Sequence, residues 1–163
     1  MCEPEQLSRA LPDEAATRAT GAALARALLA AAPATFFVAL RGELGAGKTT
    51  LARAILRTLG VTGTVRSPTY TLLETYPVAG RHVHHLDWYR LGGLDDLEGL
   101  GFRELCAPGN WLLVEWPERL PAAAERADLA IELEYADVAR RLVVRARTPA
   151  GRGVLAALSG DGA

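Results

Sequence analysis

The chain has 163 residues, half of them hydrophobic, so it is long enough for one domain with a substantial apolar core. Its formal net charge of −1 argues against a protein that coats nucleic acid, and we expect no direct nucleic-acid binding. No apolar segment has the length of a membrane-spanning helix, and Cys2 and Cys106 are isolated, with no C-x-x-C pair. We therefore expect a cytoplasmic protein without membrane association, disulfide framework or zinc site.

The first predicted elements are a helix and a strand. Asp13 and Glu14 follow Pro12 and predict a helix start, because acidic residues are favoured at the positive end of the helix dipole. This helix is expected to run to about Ala32. The apolar residues 36–40 then predict a short buried strand.

The next segment, Gly42-Glu43-Leu44-Gly45-Ala46-Gly47-Lys48-Thr49-Thr50, has the G-x-x-x-x-G-K-T pattern of a phosphate-binding loop. It lies between the predicted strand and residues 51–59, which have helical periodicity and end at Gly60. Glycines let backbone amides curve round a phosphate, Lys48 supplies a charge for the β- and γ-phosphates, and the Thr49 hydroxyl can ligate Mg²⁺. A merely flexible loop is the alternative, but the strand–loop–helix context favours a nucleotide site.

Lys48 is the only lysine among the 18 basic residues of the chain. Arginine and lysine are not interchangeable where a compact charge must enter a small cradle of amides. The composition therefore supports a requirement for lysine at this position.

The elements after Gly60 predict an α/β fold. A hairpin, a strand buried on both faces and two half-buried strands predict a P-loop NTPase core with a mainly parallel sheet, helices on both faces and added antiparallel hairpin strands. The predicted ranges are a hairpin of 72–76 and 83–89, a helical stretch 94–105, a strand 111–114, a connector or short helix 121–126, strands 129–135 and 141–147, and a helix 151–158.

Two acidic residues are candidates to complete a nucleotide site. Glu115 follows the apolar strand 111–114, as a metal-binding or water-positioning acid does at the end of a buried strand in such folds. Asp87 lies on the predicted return strand of the hairpin, with His85 on the same face. We expect Asp87 at the Mg²⁺ site, the alternative being an ordinary hydrogen-bonding acid. A zinc site at His85 is disfavoured because no third ligand has suitable spacing, and His82 and His84 are expected on the surface.

The segment Ser67-Pro68-Thr69 is a candidate γ-phosphate switch, because it follows the helix after the phosphate loop. A plain turn with capping hydroxyls is the alternative. Arg66 and Arg90 are candidate arginine fingers, although an ordinary ion pair is favoured for each.

Other classes of P-loop protein fit less well. A GTPase needs a guanine-reading N-K-x-D motif, but the only asparagine, Asn110, is followed by Trp111. A small-molecule kinase needs an acceptor pocket and an arginine-rich lid, and the chain has little length for either. An ATPase that acts through partner proteins is therefore favoured, and a small kinase or an adaptor that binds ATP without hydrolysis stays open as an alternative.

Four segments together resemble the bacterial TsaE (YjeE) proteins. They are the phosphate loop, Ser67-Pro68-Thr69-Tyr70-Thr71-Leu72, His85-Leu86-Asp87-Trp88-Tyr89-Arg90-Leu91 and Val114-Glu115-Trp116-Pro117-Glu118. The resemblance covers roughly residues 11–158, and it is specific because all four motifs occur in order. Residues 1–10 have no counterpart and are interpreted as a flexible extension before a single ATPase domain, residues 11–163.

The resemblance implies a cytoplasmic, Mg²⁺-dependent ATPase that supports synthesis of threonylcarbamoyladenosine in tRNA. TsaE proteins work with TsaD, which transfers the threonylcarbamoyl group, and its partner TsaB, and their weak ATPase activity is stimulated by that pair. The carried-over catalytic residues are Lys48, Asp87 and Glu115, and the metal site is Thr49, Glu115 and Asp87. The ATP-binding residues are Leu44, Gly45, Ala46, Gly47, Lys48, Thr49, Thr50, Thr69, Trp116 and Asp13, with Asp13 near the base.

Overall fold

The computed structural model describes residues 5–161, and within them seven strands form one sheet in the order β1-β7-β6-β2-β5-β4-β3. The strands are β1 Gln6–Leu11, β2 Phe36–Gly42, β3 Leu73–Val78, β4 Arg81–Asp87, β5 Asn110–Glu115, β6 Leu129–Ala136 and β7 Ala139–Ala146. The helices are α1 Glu14–Ala31, α2 Lys48–Leu59, α3 Leu94–Gly99, α4 Phe102–Leu105, α5 Pro121–Ala124 and α6 Pro149–Gly160, with a 3₁₀ turn at Pro117–Arg119. In the described residues no helix is both long and apolar enough to cross a bilayer.

The centre of the sheet is parallel. β6, β2, β5 and β4 run in the same direction, and antiparallel pairs β3–β4, β6–β7 and β7–β1 flank them. This arrangement confirms the predicted α/β class, its parallel core and its antiparallel hairpins.

The two faces of the sheet are covered by different helices. On one face, α1, α2 and α6 contribute Leu24, Ile55 and Leu155 to a core that also contains Val38 and Leu113. On the other face, the short helices α3, α4 and α5 cover the opposite sides of β2, β4 and β5. Since β5 is covered on both sides, its residues are almost all apolar and buried, which is the pattern expected for a central parallel strand.

The boundaries of α1 and α2 follow from their capping residues. The Asp13 carboxylate accepts a hydrogen bond from the Ala16 amide at 2.8 Å, so α1 begins where the acidic pair predicted it. α2 begins after Gly47 and ends at Gly60, and both glycines have positive φ, which other residues adopt at a cost. The predicted helix and its stop at Gly60 are therefore confirmed.

One expectation for the N-terminus is wrong. Residues 6–10 were expected in a flexible extension, but Gln6–Leu11 forms an edge strand antiparallel to β7, with Gln6 opposite Arg145. The strand is half exposed and its pairing partner lies more than a hundred residues away in sequence, so local pattern does not reveal it. Residues 1–4, including Cys2, lie outside the described residues.

His84 also differs from its predicted position on the surface. It is 6% exposed, and its Nδ1 lies 2.8 Å from the Thr75 hydroxyl on the neighbouring strand. Burial lowers the pKa of the His84 imidazole, so the neutral ring is favoured. Alternating residues of a strand reach the surface only where one face of the sheet is open to water, and both faces of β4 are covered at His84. His82, nearer the start of the strand, is exposed as predicted.

Two glycines of α6 provide a matched test of the packing. A Cβ on Gly151 would lie 2.1 Å from the backbone carbonyl oxygen of Asp128, whereas a Cβ on Gly153 would meet nothing within 4 Å. We expect Gly151→Ala to lower the free energy of unfolding by about 2 kcal/mol or more, because backbone must move. Gly153→Ala should raise it by about 0.5–1 kcal/mol through helix propensity. Urea denaturation of both variants checks this, and equal stability of the two would contradict the packing of α6 against residue 128.

Candidate functional site

The site is built where three parallel strands end at the same edge of the sheet. Glu115, the last residue of β5, lies opposite Leu40 of β2 on one side and Asp87, the last residue of β4, on the other. The phosphate loop begins directly after β2. Sheet register therefore brings the loop and both candidate acids together, as expected for ligand sites at the carboxyl ends of parallel strands.

The phosphate loop has the backbone conformation that its glycines permit. Gly45 and Gly47 have φ of 79° and 110°, and the Ala46 amide donates a hydrogen bond to the Glu43 carbonyl at 3.0 Å. Gly47 directly precedes α2, so the positive end of that helix faces the loop. Amides in such a curl, together with a helix N-terminus, form an anion-binding cradle.

Lys48 lies folded inside this loop and is only 6% exposed. Its ammonium group donates hydrogen bonds to the backbone carbonyls of Gly42 and Glu43, and its Nζ lies 4.0 Å from the ring centroid of Trp116. Burial lowers the pKa of Lys48, while the negative charges of nearby carboxylates oppose that effect. The amine is therefore held at the loop by contacts that a phosphate oxygen can replace.

Glu115 is the most buried acid of the site, at 2% exposure. Its Oε1 accepts a hydrogen bond from the Thr49 hydroxyl at 2.7 Å, and its Oε2 lies 3.8 Å from Nε2 of His85. Burial raises the pKa of Glu115, but His85, the Thr49 hydroxyl and the Lys48 ammonium together outweigh burial and leave it below its ordinary value. Glu115 is therefore ionised at neutral pH.

Asp87 has the opposite electrostatic character. It is 4% exposed, and it accepts hydrogen bonds from the Tyr89 amide at 2.9 Å and from the Thr69 hydroxyl at 3.4 Å. Burial raises the pKa of Asp87, and the charge of Glu115 adds to that effect, while the two hydrogen bonds oppose it. Raised carboxyl pKa values occur often at functional sites, so Asp87 stays a candidate for a role in the chemistry.

A cavity of about 200 Å³ joins nearly all the predicted site residues. It is lined by Leu44, Gly45, Gly47, Lys48, Thr49, Thr50, Thr69, Asp87, Glu115 and Trp116. Asp13 and Ala46 instead line a second cavity of about 190 Å³ on the other side of the loop, which shares Gly45, Gly47 and Thr50 with the first. The loop therefore lies between a cavity lined by Asp87, Glu115 and Lys48 and a second cavity at the start of α1 that contains none of these three. This division suits the phosphates and the nucleoside of a nucleotide.

A third, larger cavity of about 310 Å³ contains none of the predicted site residues. It lies on the other face of the sheet, between α5 and the strands β2, β6 and β7, and its charged side chains are of both signs. Volume alone would select this cavity. The smaller cavities have the converging cation, hydroxyl and carboxylates, so we assign the functional site to them.

The donor set at the loop suits magnesium. Thr49, Glu115 and Asp87 offer oxygen atoms, which Mg²⁺ prefers, and the described residues contain no cluster of three or more His, Cys, Asp or Glu side chains that could hold a metal alone. Mg²⁺ is usually held by one or two carboxylates together with substrate phosphates and water. The arrangement therefore fits a metal that enters with a nucleotide, and it does not fit zinc.

The candidate switch residues lie beside the acids. The hydroxyls of Ser67 and Thr69 are 2.8 Å apart, so Thr69 links Ser67 to Asp87. Arg90 lies 4.6 Å from the ring centroid of Tyr70, in the same segment. Among the described residues neither Arg90 nor Arg66 forms a side-chain ion pair, which differs from the favoured expectation for both.

Three residues at the site carry features that sequence patterns did not reveal. Trp116 has φ 59° and ψ 48°, a left-handed conformation that is rare for a bulky residue and places its ring beside Lys48. Tyr135 donates a hydrogen bond from its hydroxyl to the Leu44 carbonyl at 2.9 Å, and Arg140 lies over the Tyr135 ring. Sequence analysis predicted a half-buried strand at residues 129–135, but not that its last residues meet the loop.

Comparisons with known proteins identify the family of this chain. The model of the family described as "Threonylcarbamoyl adenosine biosynthesis protein TsaE" matches residues 11–143. The chain is 38% identical to the tRNA threonylcarbamoyladenosine biosynthesis protein TsaE of Haemophilus influenzae over 156 residues, which cover 95% of this chain and 99% of that protein. It is 41% identical to the protein of the same description from a Synechocystis species over 115 residues, or 68% of this chain and 70% of that one.

The fold is likewise similar to a solved structure. The crystal structure of YdiB from Bacillus subtilis superposes with a TM-score of 0.73, covering 97% of each chain at 25% sequence identity. The similarity therefore extends over β1 and α6 as well as over the residues that the family model matches.

Proposed function

This chain belongs to the TsaE family, and we propose that it is an Mg²⁺-dependent ATPase that supports formation of threonylcarbamoyladenosine in tRNA. The observation that carries the ATPase proposal is the 2.7 Å hydrogen bond between the Thr49 hydroxyl and Glu115, formed beside the buried ammonium of Lys48. A loop hydroxyl and a strand-end acid in contact are the pair that holds the metal in P-loop NTPases.

Each residue has a role that follows from its contacts. The amides of residues 44–50 and the end of α2 would bind the phosphates, and Lys48 would exchange its carbonyl contacts for phosphate oxygens. Thr49 and Glu115 would hold Mg²⁺, which neutralises charge on the phosphates when it is bound. Asp87, with its raised pKa, would orient the attacking water and accept its proton, and Thr69 would link this acid to the switch segment.

Two further roles belong to the nucleoside and its surroundings. Asp13 lines the cavity on the side of the loop away from the acids, so the base would lie there, at the start of α1. The Trp116 ring packs against Lys48, and its centroid lies 4.9 Å from that of the Tyr89 ring. The two rings would exclude water from one side of the phosphate cavity.

The proposal that the chain acts on partner proteins is supported by its family and by its nearly neutral net charge. The curated relatives are described as tRNA threonylcarbamoyladenosine biosynthesis proteins, and we propose the same pathway for this chain in the cytoplasm, acting with TsaD and TsaB. A net charge of −1 gives little electrostatic attraction for tRNA, so the chain would act on partner proteins rather than on nucleic acid. Hydrolysis would be slow alone and faster with the TsaB–TsaD pair.

A reconstitution tests this function. Threonylcarbamoyladenosine is measured by mass spectrometry in tRNA from a system with all pathway proteins, with and without this chain, while ATP turnover is measured with and without TsaB–TsaD. We expect modification to depend on the chain and turnover to rise with the partners. Unchanged modification without the chain would overturn the pathway assignment. Turnover that depends on a small molecule would instead indicate a kinase, and full modification by a hydrolysis-deficient variant would indicate an adaptor.

A further inference from the structure

We propose that the β6–β7 hairpin is a brace for the phosphate loop, and that Tyr135 and Arg140 are positioning residues for nucleotide binding; this rests on the proposed ATP-binding function. The Tyr135 hydroxyl donates to the Leu44 carbonyl at 2.9 Å, and the Arg140 guanidinium donates to the Gly45 carbonyl at 3.5 Å. Neither residue belongs to a nucleotide-binding motif, and both lie about 90 residues beyond the loop in sequence.

The sheet holds the two side chains in place. Tyr135 and Arg140 are direct cross-strand partners in the antiparallel β6–β7 ladder, and the guanidinium lies 4.0 Å from the tyrosine ring centroid. Strand β6 is in turn the parallel neighbour of β2, with Leu133 opposite Gly42 at the start of the loop. The brace is thus anchored to the same sheet that carries the loop, so its position relative to the loop is fixed.

The hydrogen bond to Leu44 orients an amide that the nucleotide would need. In a trans peptide the C=O of one residue and the N–H of the next point in opposite directions. When Tyr135 holds the Leu44 carbonyl toward the hairpin, the Gly45 N–H is directed away from the hairpin. Gly45 lines both cavities at the loop, and only the second of them is also lined by the hairpin, so an amide directed away from the hairpin can meet a phosphate oxygen beside Lys48.

The close approach of the hairpin also explains why residue 45 is a glycine. A Cβ on Gly45 would lie 3.0 Å from the Tyr135 hydroxyl oxygen, and the residue has φ 79°. Glycine is therefore favoured there both by backbone conformation and by the space that the brace occupies. The contact is a packed one and not a distant electrostatic interaction.

The brace has a measurable consequence for affinity. Without it, the loop samples peptide orientations that cannot bind phosphate, and the apparent dissociation constant rises as the competent fraction falls. One neutral hydrogen bond of this kind changes an equilibrium by about three- to tenfold. We expect the turnover number to change less than the affinity, because Lys48, Asp87 and Glu115 are not touched by either side chain.

The test compares Tyr135→Phe and Arg140→Met with Arg141→Met as the matched control. Arg140 also lines the second cavity, so Tyr135→Phe is the variant that isolates the contact with the loop. Arg141 is the next residue on β7, but its side chain is more than half exposed and pairs with Glu134 instead of the loop. The first measurement is the rate of hydrogen exchange at the Ala46 amide in the nucleotide-free chain, because the hydrogen bond from this amide to Glu43 closes the loop turn. The second is the dissociation constant for MgATP and for MgADP.

The two measurements separate the brace from the proposed function. In both test variants we expect the Ala46 amide to exchange about three- to tenfold faster, and the nucleotide dissociation constants to rise by the same factor. Their melting temperatures and turnover numbers should stay near those of the parent. Arg141→Met should match the parent in every measurement. Ala46 exchange within twofold of the parent in both variants would overturn the brace, whether or not the chain binds ATP. Failure of the parent chain to bind ATP would overturn the proposed function, while the exchange measurement still decides on the brace.

Discussion

Replacing Lys48 with alanine is expected to reduce kcat/KM for ATP by about two to three orders of magnitude. The side chain is buried at the loop, and among the described residues its ammonium is the one positive side-chain charge lining the cavity that contains Asp87 and Glu115. Its loss leaves Glu115 and Asp87 facing the phosphates with no side-chain cation to offset their charge. A steady-state phosphate-release assay measures the turnover, and fluorescence of a labelled ATP analogue measures the binding.

Arginine at position 48 is expected to restore little of this activity. The lysine amine fits between two backbone carbonyls and the Trp116 ring, where a wider planar guanidinium has no room to make the same contacts. The exclusive use of lysine here, in a chain whose other basic residues are arginine, agrees with that geometry. Recovery of more than half of the parent activity by Lys48→Arg would contradict it.

Arg53 offers the matched control on the same helix. It is one turn further along α2, it is exposed, and it does not line either cavity at the loop. Arg53→Ala should keep turnover within about twofold of the parent, since exposed substitutions change little. A loss in Arg53→Ala as large as that in Lys48→Ala would show that removal of any helix charge disturbs the chain, and the specific role of Lys48 would then be wrong.

The loop and the acids could be predicted from sequence because each has a local signature. A strand, a glycine pattern and a helix follow one another within residues 36–59, and their order alone predicts the cradle. Glu115 follows four apolar residues, so the end of a buried strand was recognisable without knowledge of its neighbours. The structure places both as expected, next to each other in the sheet, while the roles of these residues stay predictions.

The edge strand and the brace could not be predicted, because both depend on pairing between distant residues. Gln6–Leu11 becomes a strand only by adding to β7, and Tyr135 reaches Leu44 only because β6 pairs with β2. The burial of His84 was missed for a related reason, since a single sequence does not show which part of a sheet has helices on both faces. Periodicity describes one element, whereas these features belong to pairs of elements.

Substitutions of the two acids should give the second large effect: both should lower activity, whereas their effects on stability should have opposite signs. Asp87→Asn and Glu115→Gln each remove one negative charge with almost no change of shape. Both should lower ATP turnover, by about 10² to 10⁴ for Asp87→Asn, through loss of the proton acceptor, and on the order of a hundredfold for Glu115→Gln, through loss of a metal ligand. Turnover as a function of Mg²⁺ concentration separates them: Glu115→Gln should need much more Mg²⁺, whereas Asp87→Asn should show a smaller increase and a loss of turnover that saturating Mg²⁺ does not restore.

Stability should change in opposite directions because the two pKa values are shifted in opposite directions. The raised pKa of Asp87 means that the folded chain binds more protons than the unfolded chain, so the free energy of unfolding falls as pH rises through that raised pKa. At neutral pH Asp87→Asn removes this penalty, and the nucleotide-free variant should melt a few degrees above the parent. The lowered pKa of Glu115 stabilises the folded chain above its ordinary pKa, so Glu115→Gln should melt below the parent.

The gain in Asp87→Asn should shrink as pH falls through the raised pKa of Asp87 in the folded chain, and it should vanish below the ordinary aspartate pKa of about 3.9, where the carboxyl is protonated in both states. The loss in Glu115→Gln should persist to lower pH, because it shrinks only as pH falls below the ordinary glutamate pKa of about 4.3 toward the lowered pKa of Glu115. Thermal melts of the three nucleotide-free chains at several pH values check this. An Asp87→Asn variant that is inactive yet more stable than the parent indicates an acid kept for chemistry at a cost in stability. An Asp87→Asn variant that is fully active, or less stable at neutral pH, would show that Asp87 serves only as a hydrogen-bonding residue between β4 and the switch segment.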